Sequence, residues 1–302
     1  MSHSNGLGND RHEFRDTPPV RAEFAALPDV IAIGPPRTAT TWMHRILKGH
    51  LNLAESVKET RFFDLRYANG MAWYAAHFRN ARAGLPTAEI APTYFYSSDA
   101  RFRIAERLPD VRIVATFRDP VERLFSLYKL KCASGKITDS FEAAVESDDE
   151  MRESARYGYH LAEWISMFGR NRVLILIYED LLSDPQTFVD QLCDFVGIER
   201  FEVDADMQQK ENSTDAAVAP RMAWWTKLGV SASEWMRSHR FDRTMAVVRA
   251  TRVRRLFFGS GPELPTLNPT FVRELHKQLR PQVEAVERAI GHEIPAWRPS
   301  AL

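Results

Sequence analysis

The sequence predicts an α/β fold, a parallel sheet flanked by helices on both faces with a helical C-terminal part. Three observations predict it. Short apolar runs recur near residues 30–34, 53–57, 87–91, 111–117 and 172–178, each bounded by turn-forming residues. Segments with helical spacing lie between them, the alternation expected of strands joined by crossover helices. Two of the runs, beginning at Val30 and Val111, pass through a tight turn straight into a helix start. That is how open parallel sheets present loops at their carboxyl edge, where ligands bind.

Taken in order, residues 1–26 read as a flexible leader, and residues 27–302 as one domain without repeat, low-complexity tract or linker. Val30, Ile31 and Ile33 form the first strand, which Gly34-Pro35-Pro36 breaks. Thr38, Thr40 and Thr41 follow where the next helix has unpaired N–H groups, so a helix N-terminus, hydroxyls and the nearby Arg37 make an anion site. The run Leu53-Ala-Glu-Ser-Val57 ends beside this loop. The strand at 111–117 leads into Arg118-Asp-Pro120, with proline suited to a first helical turn, and Arg118 and Ser126 can face one anion. Arg123 reads as a helix-surface residue and Ser147-Asp-Asp-Glu150 as an acidic surface loop. Tyr157–Phe168 has apolar helical spacing, residues 184–196 open a helix at Asp184-Pro185, and a last helix over about 268–290 ends at Gly291.

Composition excludes several classes. Forty basic residues balance forty acidic ones, so no bulk field favours nucleic acid. No apolar run is long enough to span a bilayer, and Met1–Arg11 has no hydrophobic signal core. Cys132 and Cys193 fall in helical patterns and read as small core residues of a reducing compartment. No dense His/Cys cluster offers a metal site, so none is expected. Residues 219–258 carry nine Lys/Arg against Glu234 and Asp242, interleaved with Trp224, Trp225, Trp235 and Phe241. This is either a lid or platform for an anionic or amphiphilic acceptor, touching a membrane surface at most peripherally, or helices with a solvated basic face.

The first loop is P-loop-like in spacing but lacks the defining lysine. Laid over Gly-x-x-x-x-Gly-Lys-Ser/Thr from Gly34, the chain has Ala39 at the second glycine, Thr40 at the lysine and Thr41 at the hydroxyl. Such a loop holds a phosphate but is poorly equipped to stabilise charge on a γ-phosphate. Two phosphate sites on neighbouring strand ends suit a nucleotide phosphorylated at both its 5′ and 3′ positions.

Residues 34–42 and 118–126 resemble the two cofactor loops of sulfotransferases that use 3′-phosphoadenosine-5′-phosphosulfate (PAPS). The family patterns are Lys/Arg-Thr/Ser-Gly-Thr-Thr and Arg-(Asp/Asn)-Pro-x-x-Arg-x-x-Ser. Lys58-Glu-Thr-Arg-Phe-Phe-Asp64 followed by Gly70-Met-Ala-Trp-Tyr74, and Glu89-Ile-Ala-Pro-Thr-Tyr-Phe95, resemble the heparan-sulfate-type branch, and Val173–Leu181 resembles its late strand and turn. The chain departs from the family with Arg37 for lysine, Ala39 for glycine and Ile90 for a lysine, and without a clear Lys-Gly-Arg loop near its end.

The resemblance implies a sulfotransferase that moves the sulfuryl group of PAPS to a hydroxyl or amine of a small-molecule or carbohydrate acceptor, releasing 3′-phosphoadenosine-5′-phosphate (PAP). Pro36, Arg37, Thr38, Ala39, Thr40, Thr41 and Trp42 are then the 5′-phosphosulfate loop, and Arg118 and Ser126 hold the 3′-phosphate. Arg37, with Thr40 and Thr41, meets charge developing on the leaving phosphate. Glu59 is the expected general base, with Lys58 beside it to stabilise the transferring group or neutralise the glutamate. A structural ion pair of Glu59 with Lys58 or Arg61 is the plainer alternative, and His44 and His50 are alternative bases that read more readily as packing residues. Golgi-type relatives carry a membrane anchor, so a chain without one is expected to be cytoplasmic. Two other readings stay open: a P-loop-type nucleotide kinase with Asp119 or Asp180 as its acid, and a non-catalytic nucleotide-binding protein of the same fold.

Overall fold

The computed structural model describes residues 24, 26–55, 57–204 and 267–298. The basic region 219–258 and nearly all of the leader lie outside the described residues. Five strands, β1 (Val30–Ile33), β2 (Asn52–Leu53), β3 (Thr87–Ile90), β4 (Arg112–Phe117) and β5 (Val173–Ile177), form one sheet in the order β2-β3-β1-β4-β5. Every pairing is parallel, with Ile31 opposite both Glu89 and Ile113.

Helices cover both faces because successive strand residues point to opposite sides. Ile31, Ile33, Ile113 and Phe117 pack towards α3 (Ser98–Arg107), α7 (Tyr157–Phe168) and the C-terminal α10 (Pro269–Ile290), through Ile104, Trp164 and Val286. Val30, Ala32, Val114 and Leu176 face α1 (Thr40–Leu47) and α9 (Pro185–Val196), through Met43, Ile46 and Leu192. Each fully buried Ile or Leu contributes roughly 1.5–3 kcal/mol by leaving water. A third cluster joins α4 (Pro120–Ala133) to α5 (Phe141–Ser147), α6 (Asp149–Ser154) and α10. The remaining α-helices among the described residues are α2 (Gly70–Ala75) and α8 (Tyr178–Ser183).

Three local expectations change. The second strand is only two residues, because the Glu55 N–H leaves the sheet to donate to the His77 carbonyl at 2.9 Å. Ser147–Glu150 is a helix junction and not a loop: the Asp148 side chain caps α6 by accepting from the Met151 N–H, and Asp148 and Glu150 both pair with Lys131. Arg123 is fully buried, not on the helix surface. Its guanidinium lies 5.7 Å from the centre of the Tyr157 ring, and its three nitrogens have no hydrogen-bond partner among the described residues. Cys132 and Cys193 are buried and unbridged.

The sheet order sets the site. The chain leaves β1 towards β2 on one side and leaves β4 towards β5 on the other, which opens a crevice at their carboxyl ends. Gly34 lets the loop after β1 close on β4: its φ is +135°, and a Cβ there would lie 2.6 Å from the Thr116 carbonyl oxygen.

Candidate active site

The first loop reaches α1 through two residues in the left-handed region, Arg37 (φ 81°) and Ala39 (φ 63°). Ala39 precedes the helix, where glycine carries no Cβ penalty; the alanine costs about 1–2 kcal/mol. The Thr38 hydroxyl donates to the Pro35 carbonyl at 3.0 Å, so it ties the loop together instead of facing outward. Trp42 points into the core, its ring edge-on to Phe188 at 6.1 Å. No side chain caps α1, and its first turn holds no acid, so its N-terminal N–H groups and positive dipole end remain for an anion. Pro36 is half-buried and Thr40 buried on this turn.

Arg37 Nε donates to Ser126 Oγ at 2.9 Å across the crevice. The two loops expected from the sequence to be separate phosphate sites are thus joined. Arg118 flanks them: its guanidinium stacks on Tyr178, 4.9 Å from the ring centre, and approaches Glu122 at 3.4 Å. The Tyr157 hydroxyl donates to the Arg118 carbonyl at 3.1 Å and so fixes the strand end. Asp119 caps α4, accepting from the Val121 and Glu122 N–H groups at 2.9 and 2.8 Å. Burial pushes its carboxyl up to about 6. With Oδ1 holding two helix amides, Asp119 serves as the N-cap of α4.

Lys58 brings a second cation beside Arg37 to the loop, which lacks the P-loop lysine. Its Nζ lies 3.3 Å from Thr40 Oγ1, 3.1 Å from Thr41 Oγ1 and 3.0 Å from Glu59 Oε1. The ammonium therefore comes from the segment after β2 to the start of α1, close to the hydroxyls of the loop. The Lys58–Glu59 pair has side chains about a quarter exposed, 27% and 25%, so as a stabilising ion pair it contributes little. Arg61 does not share it; its Nε and Nη2 both bind Asp64 Oδ2 at 2.7 Å. His50 stacks on Phe201 at 3.8 Å, which makes it a packing residue. His44 lines a cavity of about 770 Å³ together with Lys48, Asn52, Leu53, Arg82 and Lys58.

Sequence reasoning missed Glu89, on β3. It is fully buried and accepts hydrogen bonds from Thr60, Tyr74 and Tyr94. Burial raises its carboxyl above the ordinary range. An acid inside a strand buried on both faces was the signal for it. Phe62, Phe63 and Tyr74 are fully buried, as packing residues should be. Among the described residues no group of three or more His, Cys, Asp or Glu could hold a metal ion, and no helix is long and apolar enough to cross a membrane.

Comparison with known proteins bears on this geometry. Residues 27–241 match the model of the sulfotransferase domain. The mouse heparan sulfate glucosamine 3-O-sulfotransferase 3B1 is 27% identical over 217 residues, 66% of this chain and 56% of that protein. A bifunctional heparan sulfate N-deacetylase/N-sulfotransferase 1 of Caenorhabditis elegans is 24% identical over 217 residues, covering 66% of this chain and 25% of its own length. The matched part thus spans about half of the first relative and a quarter of the second. The crystal structure of a sulfotransferase from Alicyclobacillus acidocaldarius shares the fold, with a TM-score of 0.63 at 19% identity over 91% of this chain and all of that one.

Proposed function

The chain belongs to the sulfotransferase family, and we propose that it moves the sulfuryl group of PAPS to a hydroxyl or amine of a carbohydrate acceptor by in-line displacement. The observation that carries this reading is the convergence of Lys58 Nζ on Thr40, Thr41 and Glu59 at the uncapped start of α1. It brings one cation, two hydroxyls, helix N–H groups and one carboxylate together. The donor set fits a phosphosulfate: every group on the loop side is cationic or a hydrogen-bond donor.

PAPS, when bound, supplies an activated sulfuryl group on a phosphate leaving group. Arg37, Thr40, Thr41 and the amides of α1 would hold its 5′ end, with Arg118 and Ser126 at its 3′-phosphate. The Arg37–Ser126 bond supports one continuous cradle for both. Lys58 would meet the negative charge that builds up on the leaving phosphate, as a preorganised cation. Glu59 takes the acceptor proton, its carboxylate held on the same ammonium. The heparan sulfate relatives support a carbohydrate acceptor, and the cavity that Lys58 helps to line has room for one.

Titration with PAP and with ATP–magnesium, followed by turnover of labelled PAPS against a panel of glycan acceptors, tests the proposal. Metal-independent PAP binding with sulfation of a glycan is the expected result. Binding of ATP–magnesium in preference to PAP would favour the kinase alternative. PAP binding without transfer to any acceptor would favour a non-catalytic role.

A further inference from the structure

We infer that Glu89 is a positioning residue for the proposed transfer site: a buried carboxylate that clamps the turn carrying Lys58 and Glu59. The inference rests on the function proposed above. Residues 54, 55 and 57–61 form no helix or strand, so the ladders of the sheet do not fix their path. Yet Lys58 and Glu59 must point at the start of α1 to act there.

The fixing comes through Thr60, every polar group of which is held. Its N–H and hydroxyl both donate to Glu89 Oε1, at 3.1 and 2.5 Å. Its carbonyl accepts from Arg66 Nη1 at 2.6 Å, and its hydroxyl oxygen accepts from the Phe62 N–H at 3.1 Å. Tyr94, which donates to Glu89 Oε1 at 3.2 Å, also accepts from the Phe63 N–H. Tyr74 donates to Glu89 Oε2 at 2.7 Å. Four donor contacts from three segments therefore meet on one carboxylate that has no ion-pair partner among the described residues.

A buried carboxylate without a cation is costly, and an apolar side chain would fill this place at less cost. What the carboxylate adds is a fixed anchor one peptide away from Glu59. The next residue shows why an anchor is needed. Arg61 has φ 55°, a conformation disfavoured for any residue with a Cβ, and such backbone persists only where its surroundings over-determine it. The Glu89 clamp on one side and the Arg61–Asp64 pair on the other supply that constraint.

The test compares Glu89→Ala, Glu89→Gln and Thr60→Val in the full chain. Three readouts are needed: PAP affinity, kcat and KM at saturating PAPS, and hydrogen exchange of the peptide spanning 57–63. Glu89→Ala should lower kcat by about 10²-fold, the scale of a misplacement near 1 Å, with PAP affinity nearly unchanged. Glu89→Gln should recover most of kcat, because its carbonyl still accepts from Thr60 and the Tyr74 oxygen can accept from its amide. Thr60→Val removes the hydroxyl alone, keeps the shape and should resemble Glu89→Ala; it decides the question if Glu89→Ala does not fold. Exchange should rise in peptide 57–63 and stay unchanged across β4 and α4. Wild-type kcat in Thr60→Val, or equal loss of PAP binding and kcat, would overturn the inference. If the wild-type protein transfers no sulfuryl group, the functional reading fails. The exchange comparison then still decides the clamp.

Discussion

Arg37 Nε and Ser126 Oγ, 89 residues apart in sequence, are 2.9 Å apart across the crevice between β1 and β4. One bond joins the loop after the first strand to the helix after the fourth.

Arg37→Ala should weaken PAP binding by about 10–100-fold, the equivalent of losing a charged hydrogen bond of about 1.5–3 kcal/mol. Arg37→Lys should recover part of the affinity, since the charge stays while the planar fork is lost. Calorimetry with PAP measures both. Unchanged affinity in Arg37→Ala would mean that the guanidinium serves only to tie the loops together.

Glu59→Gln keeps size but cannot accept a proton. Turnover of labelled PAPS should fall by about 10²–10⁴-fold with PAP binding little altered. Loss of folding, read from the melting temperature, would instead assign Glu59 to the ion pair with Lys58 alone.

Gly34→Ala should destabilise the fold severely, by about 2–4 kcal/mol, since overpacking against a backbone carbonyl adds to the cost of an unfavourable φ. Ala39→Gly works the other way. It removes an αL cost of about 1–2 kcal/mol and is offset by about 0.4–1 kcal/mol of extra freedom in the unfolded chain. A small rise in melting temperature is expected.

Asp119 gives a pH dependence with a definite sign. Burial raises its folded carboxyl from 3.8 to about 6, so the folded state holds the proton more tightly than the unfolded chain does. Its contribution is fully present below about pH 4 and is lost as pH rises through about 6. Asp119→Asn keeps an oxygen for the α4 cap but carries no charge. Its stability relative to the wild-type protein should increase between pH 4 and 6 and then level off. A constant difference across that range in denaturant titrations would refute the assignment.

The parallel sheet, four strands to within a residue or two, the α4 start at Pro120 and the end of α10 at Gly291 were legible because each depends on neighbours along the chain. Arg37, Lys58 and Glu59 stand in recognisable local patterns, and the roles expected of them are proposals for the variants above to test.

What lay beyond the sequence depends on contacts between distant segments. The local pattern marked Thr40 as the place of a missing lysine, but only the packing of the strap after β2 against α1 brings Lys58 there. Arg123 looked exposed because a charge on a helix ordinarily meets water; the approach of α7 buries it against Tyr157. Glu89 looked like part of a strand, and the hydroxyls of residues 60, 74 and 94 make it a clamp. Periodicity and turn chemistry are short-range and are written in the order of residues. The direction of a side chain in an irregular segment is set by hydrogen bonds and packing that close only once the sheet has assembled.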